Sequence, residues 1–156
     1  MFDIHGIFAG KEIDQVLVQL QTQLQDYRGM EGRVLMELRR LRAKLPDLQR
    51  NLDMVKLLIT KEGEEVKMDF QLADHIFAKS SVKDADGVML WLGADIMLEY
   101  ELPEAKELLS SQVQKCQEMV AEFREALDVV KEQITTTEVT IARIYNYDVE
   151  QRRASK

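Results

Sequence analysis

The stretch GVMLWLGADIMLEYEL, residues 87–102, decides how this chain folds, because it is apolar on nearly every side within an otherwise charged sequence. It is too short and too interrupted to cross a membrane, which takes about 20 apolar residues. An extended strand here needs cover on both of its faces. Val88, Leu90 and Leu92 would lie on one face, and Met89 and Trp91 on the other.

The residues on either side of this stretch also alternate with a period of two. From Val66 to Leu72 apolar and polar residues alternate, and Ala73-Asp74, DADG at 84–87 and Gly93 can each turn the chain. The sequence therefore predicts four short strands in two hairpins over residues 64–102. Isolated hairpins are only marginally stable in water, and their edge strands carry unpaired backbone groups that pair with other strands. We therefore predict that this segment is an assembly module that pairs with other subunits. Its predicted contact residues are Phe70, Leu72, Ile76, Val88, Leu90, Trp91, Leu92, Ile96, Leu98 and Tyr100.

Outside the hairpin segment the period changes to that of a coiled coil. On the N-terminal side, alternating steps of four and three residues from Ile13 to Ile59 meet an apolar residue at every position except Glu31. On the C-terminal side, the same steps from Leu109 to Ile144 meet only Thr137 as a polar residue. These two apolar stripes, called the seam below, predict helices over 11–62 and 103–150.

The two predicted helices have similar lengths and flank the hairpin segment, which favours a single antiparallel helical hairpin. We therefore predict one mainly α domain over residues 1–156, a long coiled-coil hairpin with a central insert of two β-hairpins. In this arrangement Tyr27 lies near Thr137, on the side of the chain termini. Gly29 and Gly32 fall at the same level, and each costs about 1 kcal/mol of helix stability relative to alanine.

The net charge and the cysteine content limit the partners and the compartment that this protein is expected to have. The 156 residues carry a formal net charge of −7, which disfavours nucleic acid and anionic membranes as partners. Cys116 is the only cysteine, which fits a reducing compartment. The N-terminus has no basic region followed by an apolar core, so no signal peptide is expected. A cytoplasmic location is the simplest interpretation.

Catalytic chemistry has no support in the sequence. His5 and His75 have no ligands at metal-binding spacing around them, and no glycine-rich phosphate loop follows a strand. Cys116 lies in the seam, where a buried apolar role is favoured over a reactive thiol. The basic run RRLR at 39–42 falls mainly on outward coiled-coil positions. We therefore expect no catalytic residue, no metal and no cofactor.

Three segments carry a resemblance to a known family. FQLADHIFAKSSV (70–82), VMLWLGADIMLEYELPEAKELL (88–109) and TTTEVTIARIYNYDVEQRR (135–153) are similar to the α class of prefoldin subunits, whose members have two hairpins where β-class members have one. The resemblance extends from about Tyr27 to Arg153. It implies a heterohexamer of two α-type and four β-type subunits, in which the hairpins form a double β-barrel.

The resemblance also implies a function. Prefoldin holds unfolded actin, tubulin and other chains at the ends of its coiled coils, without ATP, and delivers them to the cytosolic chaperonin. The cytoplasm is the implied location, with the nucleus as a second one. Two alternatives stay open at this point, a structural coiled-coil scaffold or tether and a subunit of a prefoldin-like co-chaperone complex. The residues predicted to contact unfolded chains are Ile7, Phe8, Ile144, Tyr145 and Tyr147.

Overall fold

The computed structural model describes residues 13–61, 63–83, 85–93 and 96–154. In chain order the elements are helix α1 (Ile13–Thr60), strands β1 (Val66–Ala73), β2 (Ile76–Val82), β3 (Gly87–Gly93) and β4 (Ile96–Glu101), and helix α2 (Leu102–Ala154). Strands β1 and β2 form one two-stranded antiparallel sheet, and β3 and β4 form another. The mainly α fold with two β-hairpins between two long helices is therefore confirmed.

The helix ends next to the hairpins follow local rules. Gly63 has φ +79°, a left-handed conformation that glycine adopts without steric cost, and it follows the last turn of α1. That turn is closed by the Lys61 N–H, which donates to the Leu57 carbonyl at 3.0 Å. Helix α2 begins at Leu102, directly after β4, with Pro103 in its first turn, where a missing N–H costs nothing. It continues to Ala154, beyond the predicted end at residue 150.

The chain divides into two compact units. The first contains the described residues up to Arg40 together with those from Val120 onward. Its helices are joined across the seam by buried side chains, which are Val16, Leu38, Val120, Leu127, Thr137 and Ile144. Two cross-helix ion pairs, between Arg152 Nη2 and Asp14 Oδ1 at 4.0 Å and between Arg28 Nη2 and Glu138 Oε1 at 2.8 Å, together show that the two helix segments run antiparallel. The pair of Arg28 and Glu138 lies one residue beyond Tyr27 and Thr137. This pair agrees with the predicted level of Tyr27 and Thr137.

The polar seam residue of α2 is accommodated within its own helix. Thr137 is buried, and its hydroxyl donates to the Gln133 carbonyl at 2.7 Å. Thr135 and Thr140 donate to the carbonyls four residues earlier in the same way. Such bonds satisfy the hydroxyl but slightly weaken and bend a helix. The threonine-rich turn therefore folds without an unsatisfied hydroxyl and with a modest loss of helix stability.

The second unit runs from Leu41 to Met119 and contains both hairpins. Its helix segments bury six seam residues, and the other seam positions are half-buried; the buried six are Leu41, Leu48, Leu52, Val55, Leu109 and Cys116. The Cys116 Sγ lies 3.7 Å from the Leu41 carbonyl oxygen, as a thiol donor would. Pro46 lies inside α1, which continues through it. Cys116 is thus a buried seam residue, as predicted.

Each hairpin contains one shift of register near its turn. In β1–β2 the shift lies between Gln71 and Ala73, and in β3–β4 it lies between Trp91 and Gly93. Leu72 and Leu92 are the residues without a partner at these register shifts, so strand pairing does not place either of them on the face predicted from alternation. Such a shift is typical of a β-bulge, which inserts one residue into one strand and increases the local twist.

Candidate interaction surfaces

The first hairpin presents large apolar side chains to solvent. Phe70 lies opposite Ala78, and both are on the face that also carries Val66 and Met68. Phe70 is 61% exposed, and Leu72 and Ile76 are exposed as well. Only Val66, at the start of β1 next to the helices, is fully buried in this hairpin. Three of the predicted assembly residues are therefore available for contacts with another chain.

The second hairpin is apolar on both faces. Val88 lies opposite Tyr100 and Leu90 opposite Leu98, so these four residues share one face, called the Leu98 face. Leu98 is exposed, and the other three are half-buried. Ile96, at the turn end of β4, is exposed too.

On the opposite face Met89 lies across from Glu99 and Trp91 across from Met97. These four residues define the Trp91 face, on which the Trp91 side chain is 63% exposed and that of Met89 62%. Exposed apolar side chains of this size on both faces of one hairpin are typical of interaction sites. The Leu92 side chain is outside the described set.

A cleft opens where both hairpins meet the helix ends. The cleft is lined by apolar side chains and by carboxylates. The apolar lining residues include Leu58, Val66, Val82 and Tyr100. The acidic residues are Glu64, Asp86, Glu99, Glu101 and Glu104, against the single ammonium of Lys61. Lys61 Nζ is 3.9 Å from the Glu64 carboxylate, so its charge is already shared. The base of the hairpin module is therefore strongly acidic.

The predicted client-contact residues fall into three groups. Ile144 is 1% exposed, which places it in the seam and makes its assignment as a contact residue wrong. Tyr145, one position further along, is 59% exposed, and Tyr147 is half-buried. Ile7 and Phe8 lie outside the described residues. Tyr145 is therefore the predicted residue of this group with the most accessible side chain.

Heptad geometry places a second apolar residue beside Tyr145. Residues that directly follow a seam residue lie on one flank of each helix, and in an antiparallel pair these flanks face the same side. The cross-helix ion pair of Arg28 and Glu138 follows this rule, since both residues come directly after seam positions. Val18 directly follows Leu17 in the same way and is 62% exposed. Val18 and Tyr145 therefore share a flank of the first unit.

Phe77, Met97 and Val18 are exposed apolar residues at these surfaces that the sequence did not single out. Phe77 lies opposite Gln71, on the face that also carries Lys67 and Asp69, so its polar neighbours concealed it. Met97 becomes notable only once it is paired with Trp91. Val18 is one step out of the seam, and only the antiparallel pairing brings its flank next to that of Tyr145. In all three cases the sequence does not show which residue lies opposite on the neighbouring strand or helix.

Metal and membrane sites find no support in the part of the chain that the structure describes. No cluster of three or more histidine, cysteine, aspartate or glutamate side chains there could hold a metal ion. Neither of the two described helices combines the length and the apolar character needed to cross a membrane. The described surfaces that stand out are thus the two hairpins, the acidic cleft and the flank of Val18 and Tyr145.

Comparisons with known proteins point to one family. Residues 27–147 match the Prefoldin family, described as "Prefoldin subunit". The human protein named "Prefoldin subunit 3" is 39% identical over 141 residues, which cover 89% of this chain and 72% of the human one. "Probable prefoldin subunit 3" of Dictyostelium discoideum is 34% identical over 154 residues, covering 99% of this chain and 79% of that protein.

A solved structure has a similar fold. It is the cryo-EM structure of filamentous PFD from Methanocaldococcus jannaschii, which matches with a TM-score of 0.59 and 20% sequence identity. The match covers 77% of this chain and 98% of the archaeal one.

Proposed function

The chain belongs to the prefoldin family of co-chaperone subunits, and from this premise we propose that it assembles through its β-hairpins and holds unfolded proteins at the termini-side ends of its helices. The complex is a heterohexamer with a second α-type subunit and four β-type subunits. It binds unfolded actin, tubulin and other chains without ATP and passes them to the cytosolic chaperonin. It acts in the cytoplasm, with the nucleus as a second location.

The observation that carries the assembly step is the exposure of apolar side chains on both hairpins. Phe70, Trp91 and Leu98 are each about half or more exposed in a protein that buries its helix seam well. At about 25 cal/mol per Å² of apolar area, covering such side chains contributes about 1.5–3 kcal/mol each. Several of them together support a stable interface, and partners that cover them also close the open strand edges.

The observation that supports client binding is the flank of Val18 and Tyr145. Both are exposed apolar side chains in the first unit, away from the hairpin module in sequence. Contacts of this kind are individually weak, so holding an unfolded chain requires several subunits to act together. Weak and non-directional contacts also suit many different clients.

Aggregation suppression by the assembled complex tests client binding. Denatured actin and tubulin are diluted into the reconstituted complex, and light scattering is followed with and without ATP. The double variant Val18→Ser/Tyr145→Ser should assemble normally but suppress aggregation less well. Val129→Ser/Val139→Ser is a matched control, because it removes two exposed apolar side chains elsewhere on α2.

The outcomes separate the functions. A wild-type complex that assembles but leaves scattering unchanged would favour a structural scaffold over a chaperone. Equal suppression by the test and control variants would remove the flank of Val18 and Tyr145 from the client site. Native mass spectrometry of the complex from its own cells would identify the partner subunits, and its co-purification with the chaperonin would test the delivery step.

A further inference from the structure

The Trp91 face combines apolar side chains with two carboxylates, those of Glu99 and Glu101. Met89, Trp91 and Met97 are between 46% and 63% exposed, and Glu99 stands opposite Met89 on the same face. Glu101 is paired with Gly87 one row further toward the helices, again on this face. Among the described residues, no lysine or arginine forms an ion pair with Glu99 or Glu101. The face therefore changes from apolar at its turn end to acidic at its base.

Gly87 lies close to the Tyr100 backbone and to the Glu99 side chain. A side chain added at Gly87 would place its Cβ 2.9 Å from the Tyr100 carbonyl oxygen and 3.5 Å from Glu99 Oε1. The contact that excludes a side chain at Gly87 is the one with the Tyr100 carbonyl, whereas the Glu99 carboxylate would lie at an ordinary contact distance. The acidic end of the face adjoins the cleft, which Glu99 and Glu101 line together with Asp86 and Glu104.

The geometry suits a cationic side chain that crosses the face. Rows of side chains on one face of a strand are about 7 Å apart, since each residue advances about 3.4 Å. An arginine or lysine placed over this face can pack its aliphatic stem on Trp91 and Met89 and bring its charged end to Glu99 and Glu101. A purely apolar partner would instead bury these carboxylates without compensation, which is costly.

We propose that the Trp91 face docks a segment of a neighbouring prefoldin subunit that places a lysine or arginine side chain over Trp91 and against Glu99 and Glu101. Two observations support this occupant, the charge complementarity and the continuity of the face with the rest of the hairpin surface. The inference rests on the proposed assembly through the hairpins and adds to it the chemistry of the partner. The hairpin then has two different contacts, an apolar one on the Leu98 face and a mixed apolar and ionic one on the Trp91 face.

Charge variants in the reconstituted complex test this inference. The chain is labelled, and its dissociation constant and rate of exchange from the complex are measured between 50 mM and 500 mM salt. Glu99→Gln/Glu101→Gln should weaken association about tenfold at low salt and flatten its salt dependence. Glu99→Lys/Glu101→Lys should weaken association about a hundredfold or more, because it adds repulsion to the lost attraction. Glu122→Lys/Glu125→Lys makes the same change of net charge on the exposed surface of α2 and should behave as wild type.

Three results would overturn the inference. The first is a lysine variant with the affinity of the control, and the second is wild-type association that does not respond to salt. The third is a complex in which the Gln pair binds as tightly as wild type while Trp91→Ala alone abolishes assembly, which would make the face purely apolar. Helix content measured by circular dichroism verifies that each variant folds. If Glu99→Lys/Glu101→Lys misfolds, the near-isosteric variant Glu99→Gln/Glu101→Gln still tests the inference. A wild-type chain that fails to join partner subunits would remove the proposed function, and the inference with it.

Discussion

Replacing Gly29 and Gly32 by alanine should stabilise the first unit. Both glycines lie inside α1 with exposed surroundings, and a Cβ added at either would have no heavy atom within 4 Å. Neither has the positive φ that would strain another residue. An exposed glycine in a helix interior costs about 0.5–1 kcal/mol relative to alanine, largely through backbone entropy. The double variant should therefore gain about 1–2 kcal/mol.

Native-state amide hydrogen exchange within the assembled complex measures this gain where it arises. A change of about 1–2 kcal/mol corresponds to a factor of about 5–30 in a local opening equilibrium. Amides of α1 around residues 25–36 should exchange more slowly by this factor. Peptides containing Thr137 should be protected as well, since the ion pair of Arg28 and Glu138 joins the two helices at this level.

A matched glycine provides the control. Gly87→Ala brings a Cβ to 2.9 Å from the Tyr100 carbonyl oxygen, so this alanine should destabilise the second hairpin instead of stabilising it. Unchanged or faster exchange around residues 25–36 in the Gly29→Ala/Gly32→Ala variant would refute the reasoning. Slower exchange together with weaker aggregation suppression would show that the flexibility conferred by the two glycines serves client binding.

Four further variants test the hairpin surface and the packing of the seam. Leu90→Asp/Leu98→Asp should abolish co-purification with partner subunits while leaving helix content intact, because buried unpaired carboxylates cost several kcal/mol; recovery of the intact complex would contradict this. In urea titrations, Ile144→Ala should lower the free energy of unfolding by about 2–5 kcal/mol, because Ile144 is buried in the seam. Tyr145→Ala should change it by less than about 0.5 kcal/mol, because Tyr145 is exposed. Equal effects of the two substitutions would contradict the assignment of Ile144 to the seam. Thr137→Val should raise the melting temperature slightly, because it removes the bond to the backbone and adds an apolar methyl group to the seam; a clear loss of stability would show that the hydroxyl is needed.

Much of the fold was predictable because the coiled-coil pattern depends on local sequence. Each seam residue predicted from the steps of four and three is buried or half-buried in the structure, including the polar Glu31 and Thr137. The helix ends were predictable to within a few residues from Gly63 and Pro103. The change of period from 3.5 to two marked the hairpin segment equally well. These signals lie within a few residues of one another, so no pairing needs to be known.

The interaction surfaces were less predictable because they depend on pairing. The β-bulges at Leu72 and Leu92 are properties of register between two strands, and alternation within one strand does not indicate them. Ile144 was assigned to the contact group although the seam pattern already included it, so the structural result favours the simpler interpretation. The chemistry of the Trp91 face became visible only when Met97 and Glu99 were placed opposite Trp91 and Met89.

The hairpins and the helices are stabilised in different ways. The helix seam is buried within the chain itself, so its stability does not require a partner. The hairpins expose Phe70, Trp91 and Leu98 and consist of two strands each, which is marginal for independent stability in water. A partner that binds only the folded hairpins stabilises them by about 2.7 kcal/mol when its free concentration is a hundred times the dissociation constant. Hydrogen exchange in the hairpins should therefore depend on the concentration of partner subunits, while exchange at Leu38, Leu48 and Val55 in the seam should not.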